Sequence, residues 1–184
     1  MYTHSRRLLL TASAAIAVFV SPGTSRAQSL EPIRVIEGRA KADKLDAEAR
    51  NLELNDWSRM TRAAELREQA ANLRAADDPK GSVSLYWAAR SRYYSGDPRA
   101  ARVLMEQAGE RALAMGDVLN AVTAFTEAAY ICADIKDGER MRTLALKARL
   151  LSHSPQLTAE QREQLLTRLA KNDAPVGVVA SLAK

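Results

Sequence analysis

A step of twenty residues constrains this chain more than any other feature. Aspartate recurs at Asp77, Asp97, Asp117 and Asp137, and a small-residue column keeps the same step at Ala88, Ala108, Ala128 and Ala148. A second column runs Gly81, Ala101, Ala121, Met141, and a bulkier one runs Leu85, Met105, Phe125, Ala145. Each segment therefore presents small, large and small side chains at i, i+4 and i+7, which lie on one face of an α-helix. A face that recurs at a fixed period cannot be buried within its own segment and needs its neighbours. The expected fold is all-α, an antiparallel helical repeat or α-solenoid of about seven helices with no sheet. Its centre is the stretch Asp117–Lys136, DVLNAVTAFTEAAYICADIK, with Phe125 as the largest core side chain.

Local signals place the elements around that centre. Residues 37–76 read as two N-terminal helices. The first is charged, with Glu37 facing Lys41 and Asp46 facing Arg50 at i, i+4, and has a thin apolar stripe of Leu45, Ala49 and Leu52. Asn55 and Asp56 offer an N-cap before the second, in which Trp57 is expected to plug the core. Residues 77–153 carry the repeats. Gly116 ends one helix and Asp117 caps the next, Asp97 caps ahead of Pro98, and Asp137-Gly138 breaks to the sixth helix, so connections of about two residues force antiparallel neighbours. Thr158 through Gln161 has the spacing of a capping box, opening a C-terminal capping helix within 154–171. Residues 28–36, with Pro32 and no period, are expected as an extended lead, and 172–184 as a flexible tail.

From Met105 the chain reads M-x-x-A-G-x-x-A, then Gly116-Asp117, then Ala121, Phe125 and Ala128, which resembles the tetratricopeptide repeat. Gly109, Gly116, Ala121, Phe125 and Ala128 stand where that family keeps its small and aromatic packing residues. Met105 and Ala112 replace usual aromatics, and Ala133 replaces a proline. Two segments make a unit longer than the family's usual ~34 residues, so the likeness, over about 78–153, is to longer-helix variants. The resemblance implies a concave surface, lined by the inner helix of each pair, that holds a protein or peptide. Pro79 and Pro155 favour pairing helix three with four and five with six, leaving the seventh as a cap; Gly109 favours pairing four with five. The first register puts Tyr86, Arg90, Tyr93 and Tyr94 of the third helix and Thr123, Glu127 and Tyr130 of the fifth in a peptide groove. Ordinary inter-helix packing by amphipathic aromatics is the competing account of the same residues.

The N-terminus reads as an export signal over residues 1–27, with Arg6 and Arg7, an apolar run from Leu8 to Val20, a Pro22-Gly23 break and Ala27 at the cut. The apolar run is too short to span a bilayer, which needs ~20 residues, so no stable membrane insertion is expected after cleavage. The pair Arg6-Arg7 and Arg26 beside the cut suit twin-arginine as well as general secretion, and the expected location is the periplasm or envelope of a bacterium. Removing Arg6, Arg7 and Arg26 from the 27 basic residues leaves 24 against 22 acidic. That balance, with the charges interspersed, gives no basic stripe for nucleic acid. The lone Cys132 excludes an intramolecular disulfide and is expected as a small buried residue. His153, the one histidine after the signal, is expected at a helix C-terminus on the surface, without partners for a metal. No phosphate loop, metal motif or nucleophile with its base is present, so no cofactor, metal or catalytic residue is expected. A two-carboxylate enzyme is a remote third option. The main expectation is a module binding a protein or peptide, and the alternative a structural spacer of an envelope assembly.

Overall fold

The computed structural model describes residues 24–181, with side chains over 33–170. Seven helices follow one another: α1 (Thr24–Asn55), α2 (Met60–Leu73), α3 (Lys80–Tyr94), α4 (Pro98–Ala114), α5 (Val118–Asp134), α6 (Gly138–Ser152) and α7 (Ala159–Ser181). No strand occurs among the described residues, and consecutive helices pack on each other as in a helical repeat. The expected all-α fold class holds.

The twenty-residue step is built into the turns as well as the cores. Between α3 and α4, Asp97 N–H donates to the Arg92 carbonyl at 2.9 Å; between α4 and α5, Asp117 N–H donates to Ala112 at 2.9 Å; between α5 and α6, Asp137 N–H donates to Cys132 at 2.8 Å. The residue before each aspartate is left-handed, at φ 87° for Gly96, 74° for Gly116 and 62° for Lys136. Each aspartate carboxylate then accepts from the backbone N–H three residues on, of Ala100, Asn120 and Arg140. One three-residue device thus closes the C-terminus of one helix and caps the N-terminus of the next. The break into α6 is made by Lys136 in the left-handed position, while Gly138 is already helical.

Burial follows the columns. Ala88, Ala108, Ala128 and Ala148 are fully or almost fully buried, as are Ala101 and Ala121, with Met105 and Phe125 between them. Alanine at these points lets the helices approach closely, and Gly109 fits tightly too: a Cβ there would stand 2.7 Å from the Phe125 ring. Gly109 is therefore small because α4 lies against Phe125 of α5, the contact that pairing four with five expects. Cys132 is buried, and burial pushes its thiol up to about 11. Leu157, Leu165 and Leu169 seat α7 against the same core. Thr158 and Gln161 form the expected box: Gln161 N–H donates to Thr158 Oγ1 at 3.1 Å, and Thr158 N–H donates to Gln161 Oε1 at 2.9 Å. His153 is exposed and caps the end of α6.

Three expectations need correction. Residues 28–36 are not an extended lead but part of α1, because a helix once nucleated gains a hydrogen bond with each residue added, and it continues past Pro32 despite a cost of about 3 kcal/mol there. Residues 172–181 likewise continue α7 through Pro175 and Gly177. Trp57 does not plug the core: Asp56 caps a short 3-10 turn, Trp57–Arg59, which turns the indole outward to 63% exposure. The export signal lies outside the described residues except for its last four, which belong to α1.

Candidate functional site

The odd-numbered helices make one surface and the even-numbered helices the other. On the odd row, Ser84 and Ser91 of α3 donate to Asp46 and Glu53 of α1 at 2.8 and 3.0 Å, and the Tyr93 hydroxyl of α3 donates to Asp134 at the end of α5 at 3.0 Å. On the even row, Arg111 of α4 donates to the Ala71 carbonyl of α2 at 3.2 Å, and Arg140 of α6 pairs with Glu106 of α4. The helices therefore alternate between two rows, with α3 and α5 side by side.

The odd row carries most of the aromatic side chains. Ring centroids step from Trp57 to Tyr94 at 5.3 Å, from Tyr94 to Tyr93 at 5.8 Å, and from Tyr93 to Tyr130 at 6.5 Å, tilted or edge-on as aromatic pairs prefer. Tyr86 meets Trp87 edge-on at 5.8 Å. Between these rings lies Arg90, its guanidinium carbon 5.0 Å from the Trp87 centroid and 5.7 Å from that of Tyr94, whose hydroxyl accepts from Arg90 Nη2 at 3.0 Å. Trp57, Trp87, Tyr94 and Tyr130 are between 38% and 63% exposed. Large apolar rings held at the surface in a row mark an interaction site more often than isolated ones do.

Three hollows adjoin along this row. The first, 270 Å³, lies between α3 and α5 and includes Tyr86, Trp87 and Thr123. The second, 580 Å³, lies between α1 and α3 under Trp57 and includes Arg50, Leu54, Trp87, Arg90 and Tyr94. The third, 390 Å³, includes Arg90, Tyr93, Tyr94, Glu127 and Tyr130. Trp87 borders the first two, and Arg90 and Tyr94 border the last two.

All seven residues expected in the groove therefore line one of three neighbouring hollows. They are not alike. Tyr86 and Tyr93 are partly buried against the main core, and so also pack as the competing account supposes. Burial, ahead of the nearby Glu127 charge, raises the Tyr86 phenol. Burial together with the bond to Asp134 pushes Tyr93 up to about 12. Sequence reading missed Trp57, Trp87, Arg50 and Leu54. A signal for Trp87 was present, since it adjoins Tyr86 in the one aromatic-rich helix. Trp57, Arg50 and Leu54 reach the groove only through the docking of α1.

Beneath the second hollow lies a charged ladder. Arg67 of α2 donates to Glu53 at 2.8 and 3.1 Å and to Asp46 at 3.1 Å, and Arg74, just past α2, donates to Asp43 and Asp46 at 2.7 Å each. Buried Asp78 accepts from Arg74 at 3.4 Å. Burial opposes the charge on Arg67, but Glu53 and Asp46 outweigh it and raise its pKa above the usual arginine value. Apart from Arg74 Nε, which is buried without a partner, these groups satisfy one another, which makes them a floor of the hollow and not its reactive part. Among the described residues no group of His, Cys, Asp and Glu is placed to hold a metal, and no helix is long and apolar enough to cross a membrane. Comparison with models of protein families, with curated proteins and with solved structures gives no match.

Proposed function

We propose that the protein is an exported, tetratricopeptide-like binding module that holds a protein or peptide partner along α1, α3 and α5. The observation that carries this reading is the aromatic file Trp57, Tyr94, Tyr93, Tyr130, exposed at all but Tyr93, which runs from the 3-10 turn across α3 to α5 and borders adjoining hollows. Tyrosine, tryptophan and arginine are the usual anchors of protein interfaces, giving large contact area with a polar tip and little rotamer entropy to lose. The test is crosslinking in the native envelope with Trp57, Tyr94 and Tyr130 changed together to Ala. These side chains are exposed, so melting stays near that of the parent while the parent's crosslinked partner is lost. A folded triple variant that keeps its partner at full strength rejects the groove.

The alternative is a structural spacer in an envelope assembly, attached through α1. Its support is that Gly38 lies against the Leu73 carbonyl at the end of α2, so the earlier part of α1 runs past its partner with Ile33 and Ile36 at least half exposed. Export itself is read from Arg6-Arg7, the run Leu8 to Val20 and Ala27. N-terminal sequencing of protein from its own host tests it, and Met1 retained in a soluble cytoplasmic fraction refutes it.

A further inference from the structure

We infer that the hollow under Trp57 recognises a peptide segment in which an aspartate or glutamate side chain adjoins an aromatic or large aliphatic one, with Arg90 as the residue that takes the carboxylate. The inference rests on the peptide-binding reading above and specifies the chemistry of its partner. Two guanidinium groups approach the Trp87 ring, Arg90 at 5.0 Å and Arg67 at 5.9 Å, and they are in opposite electrostatic states. Arg67 is neutralised by Glu53 and Asp46. Arg90 lies on the same ring, and no ion pair joins it to a carboxylate among the described residues; its side-chain partners are the tyrosines Tyr94 and Tyr86.

A half-buried guanidinium clamped between two rings has already lost the rotamer freedom that binding an acid would remove, and its planar fork suits a carboxylate bidentately. Arg50 on the α1 side of the same hollow adds a second positive charge. Glu53 also borders this hollow but is paired with Arg67, whereas Glu127 borders the neighbouring hollow, so the Trp57 side is the one that favours a carboxylate. Around this point Leu54, Val83 and Trp57 are exposed, 69%, 41% and 63%, and offer the apolar half of the recognition. Together they fit an acid-plus-apolar pair and disfavour a purely basic or purely apolar segment.

The experiment is selection from a library of random peptides displayed on phage, using the immobilised full mature chain, in parallel with Arg90→Gln and Arg90→Lys variants checked for parental helicity. The expected result is enrichment of peptides with Asp or Glu beside Trp, Phe, Tyr or Leu. The acid preference disappears with Arg90→Gln, while Arg90→Lys keeps the charge and loses most of the preference. For a synthetic enriched peptide, capped at both ends so that only side-chain carboxylates remain, changing its acid to the amide weakens binding by about tenfold or more. Enriched peptides without an acid preference, or an acid preference unchanged in Arg90→Gln, overturn the assignment of Arg90 and leave a peptide groove standing. Enrichment of nothing above a blank surface overturns the peptide-binding reading with it.

Discussion

Between α1 and α3 the helices meet through guanidinium and carboxylate groups, whereas between α3 and α6 they meet through alanine methyls and the Phe125 ring. In the first region three helices each contribute a pair of polar side chains seven residues apart: Asp46 and Glu53 on α1, Arg67 and Arg74 at α2, Ser84 and Ser91 on α3. A small apolar cluster, Ala49, Ala63 and Leu66, accompanies them, with Ala42, Met60, Ala64, Ala70 and Ala71 also buried. In the second region the main core holds no such ladder, and its ion pairs, such as Glu106 with Arg102 and Arg140, lie on the even row. Close packing of methyls is tolerant and non-directional, while a buried ion ladder demands one geometry and is costly to leave half-made. The groove lies where the two regimes meet, its aromatic rings carried by α3 with the ladder on one side and the alanine core on the other.

The largest effect should come from Phe125→Asp. Truncating a fully buried aromatic costs about 3 to 5 kcal/mol, and an unpaired carboxylate in its place adds desolvation. That approaches the whole stability of a small domain. Circular dichroism should show the cooperative melt abolished, and a melt within a few degrees of the parent would mean that the array does not depend on its central ring. Arg74→Met tests the other regime. It leaves Asp46 and Asp78 facing a methyl group, at a cost of about 3 to 5 kcal/mol for a broken buried pair. The contrast predicts where the loss appears: hydrogen exchange should rise across α1 first, while α4 to α6 keep their protection. Equal loss everywhere would show a single cooperative unit and erase the distinction.

A smaller effect separates the regions by pH. Hydrogen bonds from Arg74 and Lys80 hold Asp43 below its ordinary 3.8. A depressed carboxylate stabilises the fold fully above its unfolded pKa, and that contribution is lost as pH falls through the lower folded value. Protection of α1 measured by hydrogen exchange should therefore begin to decline below about pH 3.8, and the decline should be weaker in Asp43→Asn, which has already lost the titrating group. Glu106 on the even row is also lowered, burial being outweighed by Arg140 and Arg102, so the array has an acid step of its own. The smallest effect is a gain. Lys136 takes the left-handed backbone that Gly96 and Gly116 take in the sister turns. Lys136→Gly should raise stability by about 1 kcal/mol, since a non-glycine residue pays roughly 1 to 2 kcal/mol there and glycine returns part of that through chain entropy. A lower melting temperature would mean that the third turn is not equivalent to the other two.

The alanine-packed region was legible in the sequence because its determinants recur: the columns at 81, 85 and 88 and the aspartate caps needed only counting. The aromatic face of α3 was legible by concentration. The ladder was not, because an i, i+7 pair of acids on one helix and of arginines on the next acquires meaning only once the antiparallel register sets Glu53 against Arg67 and Asp46 against Arg74. The sequence reading looked instead at i, i+4 pairs within α1. Trp57 was misplaced for a related reason: a tryptophan after an N-cap reads as a core staple, and only the 3-10 turn and the nearness of Tyr94 bring it to the groove.

The repeated turn joins single helices, not pairs, and this gives the array a parity. Because the same interlocked bonds close every junction from α3 to α6, excising one segment of twenty residues would leave a sound junction and matching buried columns. Every later helix would then change rows. A loss or gain of one unit therefore keeps the fold but carries Tyr130 to the back of the molecule, and two units restore it. Length variation in such a chain is neutral for packing at every unit and neutral for recognition only at every second one.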